Sequence, residues 1–405
     1  MDKKKYVIVT PYFPSPDRWR GAFCFDFTRA LIRSGKYDVR VFVPGRGGDY
    51  DYNGVHVYRF TYLSLPGGIL PFLFSGINRI FFRRKISKCG INIKEIKVAH
   101  SHEIHCLTLA LALKEKNEEI TLVHHFHAMG HPFHISMPKL GIVPIYSTLL
   151  YLYYRRQLEK IDMPVFVSKR QRDMFGKWYP HGFLAEAEDL RECLTFGRHL
   201  RAVHLKPSYV LYNGIDYTVF HHDDGKKARS NCFVVGDVAN FCESKDQITL
   251  IKAVERLCQQ KGVFQGIKCI LVGSGETLGI CQEYVETKGM SEIVEFRTEM
   301  DHLDLPNFYR LLDLFVSPSW AEGFCCTFVE AHGCGVPIIG CKGVSVDECF
   351  AKEDQDKWLF EPQNDKKLAE IIKWFYNTRE EQKFVDDFDI DKLVRGFIKQ
   401  IEERA

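Results

Sequence analysis

Fourteen cysteines are scattered through this chain, yet no two are spaced as C-x-x-C. That removes the usual zinc-ribbon and thioredoxin-like patterns and leaves reduced thiols in a cytosolic protein as the simplest account. The chain is also poor in long apolar runs. Leu63 to Asn78 is uncharged for sixteen residues but is broken by Pro66, Gly67, Gly68 and Pro71, so it falls short of the about twenty apolar residues that a membrane-crossing helix needs. No signal peptide is expected, because Met1 to Lys5 runs directly into the apolar Tyr6-Val7-Ile8-Val9. Net charge is small, 55 Lys+Arg against 52 Asp+Glu. No segment interleaves aromatic residues with cations in a nucleic-acid-binding pattern, so nucleic acid is not an expected partner.

What the chain does have is enough material for two or three domains: 405 residues, of which 45% are hydrophobic. Its charge is unevenly spread, with 32 basic and 18 acidic residues up to Val210 and 23 against 34 beyond it. The split suggests two domains with different partners. In the basic half, Leu63 to Asn78 is followed by Arg79, Arg83, Arg84 and Lys85, and Ile142 to Tyr154 leads into Arg155-Arg156. Each pairs an apolar stretch with a basic rim, as an interfacial membrane contact does; a core helix after a loop is the alternative. The expected location is cytoplasmic, with peripheral contact at the inner face of the cytoplasmic membrane.

The segment that organises the rest is Leu314 to Ile339. An apolar run at Leu314-Phe315-Val316 is followed by a loop with Glu322-Gly323 and about ten helix-compatible residues. Gly333 and Gly335 close these before Pro337 and a second apolar run. This is the strand, loop, helix, strand unit of a parallel sheet. A helix beginning near Phe324 would offer free amides and a positive dipole end to phosphate, and Gly323 would allow close backbone approach. Glu322 and Glu330 flank that point, and a carboxylate suits a pair of vicinal hydroxyls. Phosphate and polyol together describe a nucleotide-sugar, although a solvated Glu322 and a Glu330 on an ordinary crossover helix fit the same spacing.

Glu322-Gly323-Phe324-Cys325, Glu330-Ala331, Gly335, Pro337 and Ile338-Ile339 resemble the E-G-F-G-x-x-x-x-E-A-x-x-x-G-x-P-V-I signature of retaining glycosyltransferase family 4, group 1. Cys325 stands where the family has glycine. The resemblance implies an α/β protein of the GT-B fold, two Rossmann-like doubly wound domains facing across a cleft. Asn213-Gly214-Ile215-Asp216 and Phe220 resemble the family's crossing between domains. The acceptor-side domain is expected over 1–207 and the nucleotide-sugar domain over 208–384. The terminal helix, 385–405, would pack back on the first.

Residue by residue, the resemblance assigns Lys245 to the donor diphosphate. Asn240 stands where the family has an arginine. Gly273 belongs to the glycine turn Gly273-Ser274-Gly275, and Thr298 ends a strand that holds the base through backbone groups. Gly21 matches the glycine of the first turn, which approaches donor and acceptor. Gly323, Phe324 and Cys325 would meet the phosphates, Glu330 the ribose, and Glu322 the sugar or phosphate region. In His124-His125-Phe126-His127, the family position that touches the transferred sugar falls on His127. The same histidines crowd a strand end, where open α/β sheets bind ligands, but the sequence supplies no convincing set of further metal ligands.

The implied reaction is transfer of a hexosyl-type group from a nucleotide-diphosphate sugar to a hydroxyl of a lipid-linked or cell-envelope glycan. A phosphate oxygen accepts the proton, and the implied mechanism uses neither a protein nucleophile nor a metal or other cofactor. Domain closure would exclude water. A nucleotide-sugar epimerase of the same fold and a catalytically weak nucleotide-sugar-binding protein are the alternative functions. Asp49-Tyr50-Asp51 reads as a chance D-x-D in a loop.

Overall fold

The computed structural model describes residues 3–16, 21–65, 70–127, 143–178, 203–223, 232–260, 266–298, 300–385 and 388–404. Outside them lie the Pro66-Gly67-Gly68 interruption, nearly all of the helix-compatible 181–204 stretch, and most of the polar linker at 221–230. The chain divides into two compact units: Met1–Tyr212 with Asp391–Ala405, and Asn213–Ile390.

The first unit runs β1 (Lys5–Val9), α1 (Ala22–Arg33), β2 (Asp38–Pro44), β3 (Tyr50–Tyr52), β4 (Val55–Phe60), α2 (Ser75–Lys88), β5 (Ile96–His102), α3 (Ile104–Lys114) and β6 (Thr121–Phe126). It continues with α4 (Val143–Leu158), β7 (Met163–Phe166), α5 (Lys169–Trp178) and β8 (Tyr209–Val210). The sheet order is β3-β4-β2-β1-β5-β6-β7-β8. Its pairings are parallel except β3 with β4. Central strands covered on both faces read as near-continuous apolar runs, and Tyr6-Val7-Ile8-Val9 is such a run, wholly buried.

Two local expectations change here. The D-x-D is not in a loop: Tyr50 and Asp51 lie on edge strand β3, with Asp51 2.9 Å from His56 Nδ1 and Asp49 2.7 Å from Lys85 Nζ. The first unit also extends to Tyr212 rather than 207, because Tyr209-Val210 pair in parallel with β7.

The second unit runs β9 (Phe233–Val238), α6 (Gln247–Cys258), β10 (Ile267–Val272), α7 (Leu278–Thr287), β11 (Val294–Arg297), α8 (Leu305–Tyr309), β12 (Leu314–Ser317) and α9 (Cys326–Gly333). Then come β13 (Ile338–Cys341), α10 (Gln355–Trp358), β14 (Leu359–Phe360) and α11 (Asp365–Thr378). Its sheet order, β11-β10-β9-β12-β13-β14, is parallel throughout. This is the 3-2-1-4-5-6 order of the dinucleotide-binding fold. The last helix, α12 (Ile390–Arg404), returns to the first unit: Phe397 meets Phe27 at 5.7 Å, and Arg33 Nη2 bonds Asp391 at 2.8 Å.

The sequence places a helix over Lys245 to Gln259 and another from near Phe324, and both start later in the structure. Asp246 takes a left-handed conformation, φ 50°, so α6 begins at Gln247, with Lys245 in a separate short turn. Cys325 is extended, φ −87° and ψ 96°, so α9 begins at Cys326, beyond Gly323 and Phe324.

Candidate functional site

In an open parallel sheet, ligands bind at the carboxyl ends of the strands where strand order reverses. In the second unit that point is between β9 and β12. The turn after β9 carries Lys245, and the loop after β12 carries Glu322. Two hydrogen bonds tie the turn to the loop: the Ser244 carbonyl accepts from Ser319 Oγ at 3.1 Å and from the Trp320 amide at 3.0 Å. Thus braced, Lys245 Nζ donates to Glu322 Oε1 and forms an ion pair with it. Burial opposes the lysine's charge, but the Glu322 carboxylate more than offsets that and holds the ammonium well above its usual range.

Beneath this pair lies Asp237, on β9 and almost fully buried. Burial pushes its carboxyl up to about 7, against the pull of Lys245 and with a further push from Glu322. Sequence analysis missed it. The signal was an acid inside the apolar strand Phe233-Val-Val-Gly-Asp-Val, since a lone carboxylate is rarely placed in a core without a partner.

Glu330 is held differently. Tyr309 Oη donates to its Oε2 at 2.7 Å, and His302 Nδ1 lies 3.8 Å from Oε1. The spacing of the two glutamates therefore gives two separate engagements, Glu322 with Lys245 and Glu330 with Tyr309 and His302. Phe324 packs its ring 5.6 Å from that of Phe388, so what it can offer a ligand is backbone. Cys325, with Sγ 3.6 Å from Ser317 Oγ, is an ordinary extended residue at the head of α9. The free amides of that first turn belong to the residues from Cys326 onward. Gly323 is buried, whereas Asn240 and Thr298 are exposed at the ends of β9 and β11. The Asn240 carbonyl accepts from Gln247 Nε2 at 3.1 Å.

Gly273 shows why glycine is needed after β10. Its φ is 144°, and a Cβ there would lie 2.1 Å from the Ala239 carbonyl oxygen. The two strand-end turns therefore pack backbone to backbone.

The first unit has its own reversal, between β1 and β5. Gly21 caps α1 there at φ 96°, and a Cβ on it would lie 2.5 Å from the Tyr12 carbonyl carbon. Beside it, histidines at the ends of β5 and β6 crowd together: His102 stacks on His100 at 4.4 Å and on His127, just past β6, at 5.0 Å, and His125 lies tilted against His127 at 4.3 Å. His127 Nε2 lies 2.7 Å from His102 Nδ1. Its Nδ1 has no hydrogen-bond partner among the described residues. His124 is tied to Ser101 Oγ at 2.8 Å. Burial, and then the neighbouring imidazoles, lower the basicity of His127 well below the usual histidine range.

Comparison with known families decides what these two reversals belong to. The family described as "Glycosyl transferases group 1" matches residues 222–387, and that described as "Glycosyltransferase Family 4" matches residues 21–182. The chain belongs to this glycosyltransferase family. A D-inositol 3-phosphate glycosyltransferase of Mycobacterium bovis (strain BCG / Pasteur 1173P2) is 28% identical over 137 residues, a match that spans 32% of this chain and only 28% of that protein. Among solved structures, Anabaena HepE in complex with UDP and glucose has TM-score 0.67 at 16% identity over 98% of this chain and 99% of its own. Sucrose-phosphate synthase from Thermosynechococcus elongatus has TM-score 0.68 at 15% identity over 98% and 94%. These likenesses establish the GT-B fold. The group 1 match spans the positions of Lys245, Glu322 and Glu330, and the family 4 match those of Gly21 and His127.

Proposed function

We propose that this chain transfers a glycosyl group, with retention, from a nucleoside-diphosphate sugar to a hydroxyl of a glycan or lipid-linked acceptor. The observation that carries this reading is the Lys245–Glu322 pair at the strand-order reversal of a dinucleotide-type sheet, beside the start of α9. Lys245 and the first amides of α9 would neutralise the diphosphate, most strongly as charge develops on the leaving group. Glu322 would then bind sugar hydroxyls, and Glu330 the ribose. His127 would offer its Nδ1 to the transferred sugar, near the turn that Gly21 shapes. The acceptor oxygen attacks the anomeric carbon, the bond from that carbon to the phosphate oxygen breaks, and a phosphate oxygen takes the acceptor's proton. No metal ion takes part in this reaction.

UDP-sugars are the first donors to test, because HepE was solved with UDP and with UDP-glucose, and the pneumococcal O-GlcNAc transferase GtfA with UDP and GlcNAc. A calorimetric panel of UDP-, GDP- and ADP-sugars should reveal one preferred nucleotide. Lys245→Ala should weaken its diphosphate-dependent binding on the order of ten- to a hundred-fold, the loss of one charged hydrogen bond. Equal affinity of both proteins for every donor would refute the assignment.

The acceptor-side partner includes a membrane surface in this proposal. Helices α2 and α4 both pack on α3, and Phe72, just before α2, meets Tyr153 of α4 at 5.8 Å. Leu73, Ile77, Ile80, Leu149 and Leu152 are exposed, with Arg84 and Arg156 also outside. No helix of the described residues is long and apolar enough to cross a membrane, and apolar anchors with a basic rim suit an interface. Cosedimentation with phosphatidylserine-containing vesicles should be lost in Ile77→Glu/Leu149→Glu. A wild-type protein that ignores such vesicles would remove the membrane from the proposal.

A further inference from the structure

We propose that Cys24, His102 and His127 form a binding site for a thiophilic divalent cation of the zinc type, at the strand-order reversal of the first sheet. This goes beyond glycosyl transfer and requires neither donor nor acceptor. Cys24, near the start of α1, places Sγ 3.6 Å from His102 Nδ1, at the end of β5; that nitrogen lies 2.7 Å from His127 Nε2, just past β6. The ligand atoms of these three side chains lie within 4.8 Å of one another. A tetrahedral ion with bonds of about 2.3 Å to sulfur and about 2.0–2.1 Å to nitrogen sets neighbouring ligand atoms roughly 3.3–3.6 Å apart. The Cys24–His102 edge already fits, and the His102–His127 edge has to open by roughly 0.6 Å or more to reach that geometry.

The donor set is right for the ion. One thiolate and two imidazoles suit zinc, and three protein ligands leave a fourth position open. Cys24 and His102 are buried while His127 is partly exposed, which gives an ion a side from which to enter. A second observation concerns the other ring nitrogens: His102 Nε2 and His127 Nδ1 have no partner among the described residues. Buried imidazole nitrogens are normally satisfied, so these two rings make their described polar contacts chiefly through the atoms that face the trio. Thr10 Oγ1, 3.6 Å from Cys24 Sγ, supplies an outer contact to the sulfur.

A neighbouring trio, His100, His102 and His125, is also close enough to hold an ion. It consists of imidazoles alone, whereas the Cys24 trio adds the thiolate that a thiophilic ion prefers. Ring orientation does not separate the two, since His102 and His127 also stack, at 13°. Binding at the Cys24 trio exchanges the thiol proton for the metal and releases it to solvent. With His127 bound through Nε2, its remaining proton is fixed on Nδ1, so that nitrogen becomes a hydrogen-bond donor.

The test is titration of the chelator-treated full chain with Co2+, followed by absorption. One equivalent should bind with a thiolate-to-cobalt charge-transfer band, and Zn2+ should displace it. The band should vanish in Cys24→Ser and persist in Cys258→Ser, whose thiol is exposed elsewhere. His127→Asn should bind at least about ten-fold more weakly. Near-ultraviolet circular dichroism of the metal-free variants checks their folding; if Cys24→Ser is misfolded, the His127→Asn result decides. The proposal fails if the wild type takes up no stoichiometric cobalt, if the band survives in Cys24→Ser, or if cobalt binds without the band, which would place it on histidines alone. None of these outcomes touches the donor reading, since no nucleotide-sugar is present.

Discussion

At the scale of single residues, the second unit shows how a buried carboxylate is kept. Glu330 sits in the interior with Tyr309 Oη 2.7 Å away and His302 close by. Deleting one partner leaves a charged acceptor underpaired, which costs about 1–3 kcal/mol. Tyr309→Phe should therefore lower the unfolding free energy of the second unit by about that amount in urea titration, and an unchanged midpoint would mean that the bond contributes nothing. Cys325 makes the opposite point. It replaces a family glycine, yet its φ of −87° is open to any side chain. Cys325→Gly should accordingly leave donor affinity unimproved and cost roughly 0.5–1 kcal/mol of stability through added chain freedom; tighter donor binding in that variant would show that the thiol obstructs the ligand. Glu322 and Glu330 stood out in the sequence through the family signature, since their spacing alone fits an ordinary crossover helix as well. Tyr309 and His302 were not, because contacts from α8 and its approach depend on packing that no local pattern encodes. Asp237 was legible only in hindsight, as a charge in an apolar strand.

Elements were read with more success than their ends. Strands β4 and β10 coincide with the sequence spans Val55 to Phe60 and Ile267 to Val272, six residues each, rich in β-branched, aromatic or aliphatic side chains and bounded by Gly54 in the one case and by Gly266 and Gly273 in the other. The helices α6 and α9 start late for a reason that is local but invisible to hydrophobic period: Asp246 is left-handed, and Cys325 is extended. Those irregular residues are what let the β9 turn and the β12 loop meet. Ser319 Oγ and the Trp320 amide both bond the Ser244 carbonyl, so Lys245 and Glu322 are positioned by each other's loops. Ser319→Ala removes one such bond, about 1 kcal/mol net. Donor binding should weaken by up to roughly five-fold on that ground, with the melting temperature of the second unit lowered by no more than about 2–4 °C. A loss confined to stability would show instead that the bond braces the fold and not the pair.

For the whole molecule, strand order could not be read from the sequence, because pairing between distant strands is set in three dimensions; only the family resemblance anticipated two such sheets. The structure also gives the two units different responses to acid. In the first, burial lowers His124 and His125 to about 3 and His105 to about 4, with His100, His102 and His127 lowered as well. An unfolded histidine binds its proton near pH 6.5. The unfolded chain thus takes up protons that the folded unit refuses, and stability present above that pH is lost progressively as pH falls toward 3. In the second unit, Asp237 is raised to about 7. Its contribution has the reverse sign: fully present below about pH 4, it is lost as pH rises through 7. His332, lowered to about 4, offsets part of this gain in acid, so the second unit should change little between pH 7 and 5 while the first weakens. Hydrogen exchange resolved by peptide across that range should show protection falling first in β5, β6 and α3. Asp237→Asn should remove the second unit's gain in acid, so that this unit too weakens as pH falls from 7 to 5, and leave the first unit's acid response as it was. Equal acid sensitivity of the two units would show that the buried histidines are protonated as easily in the fold as out of it.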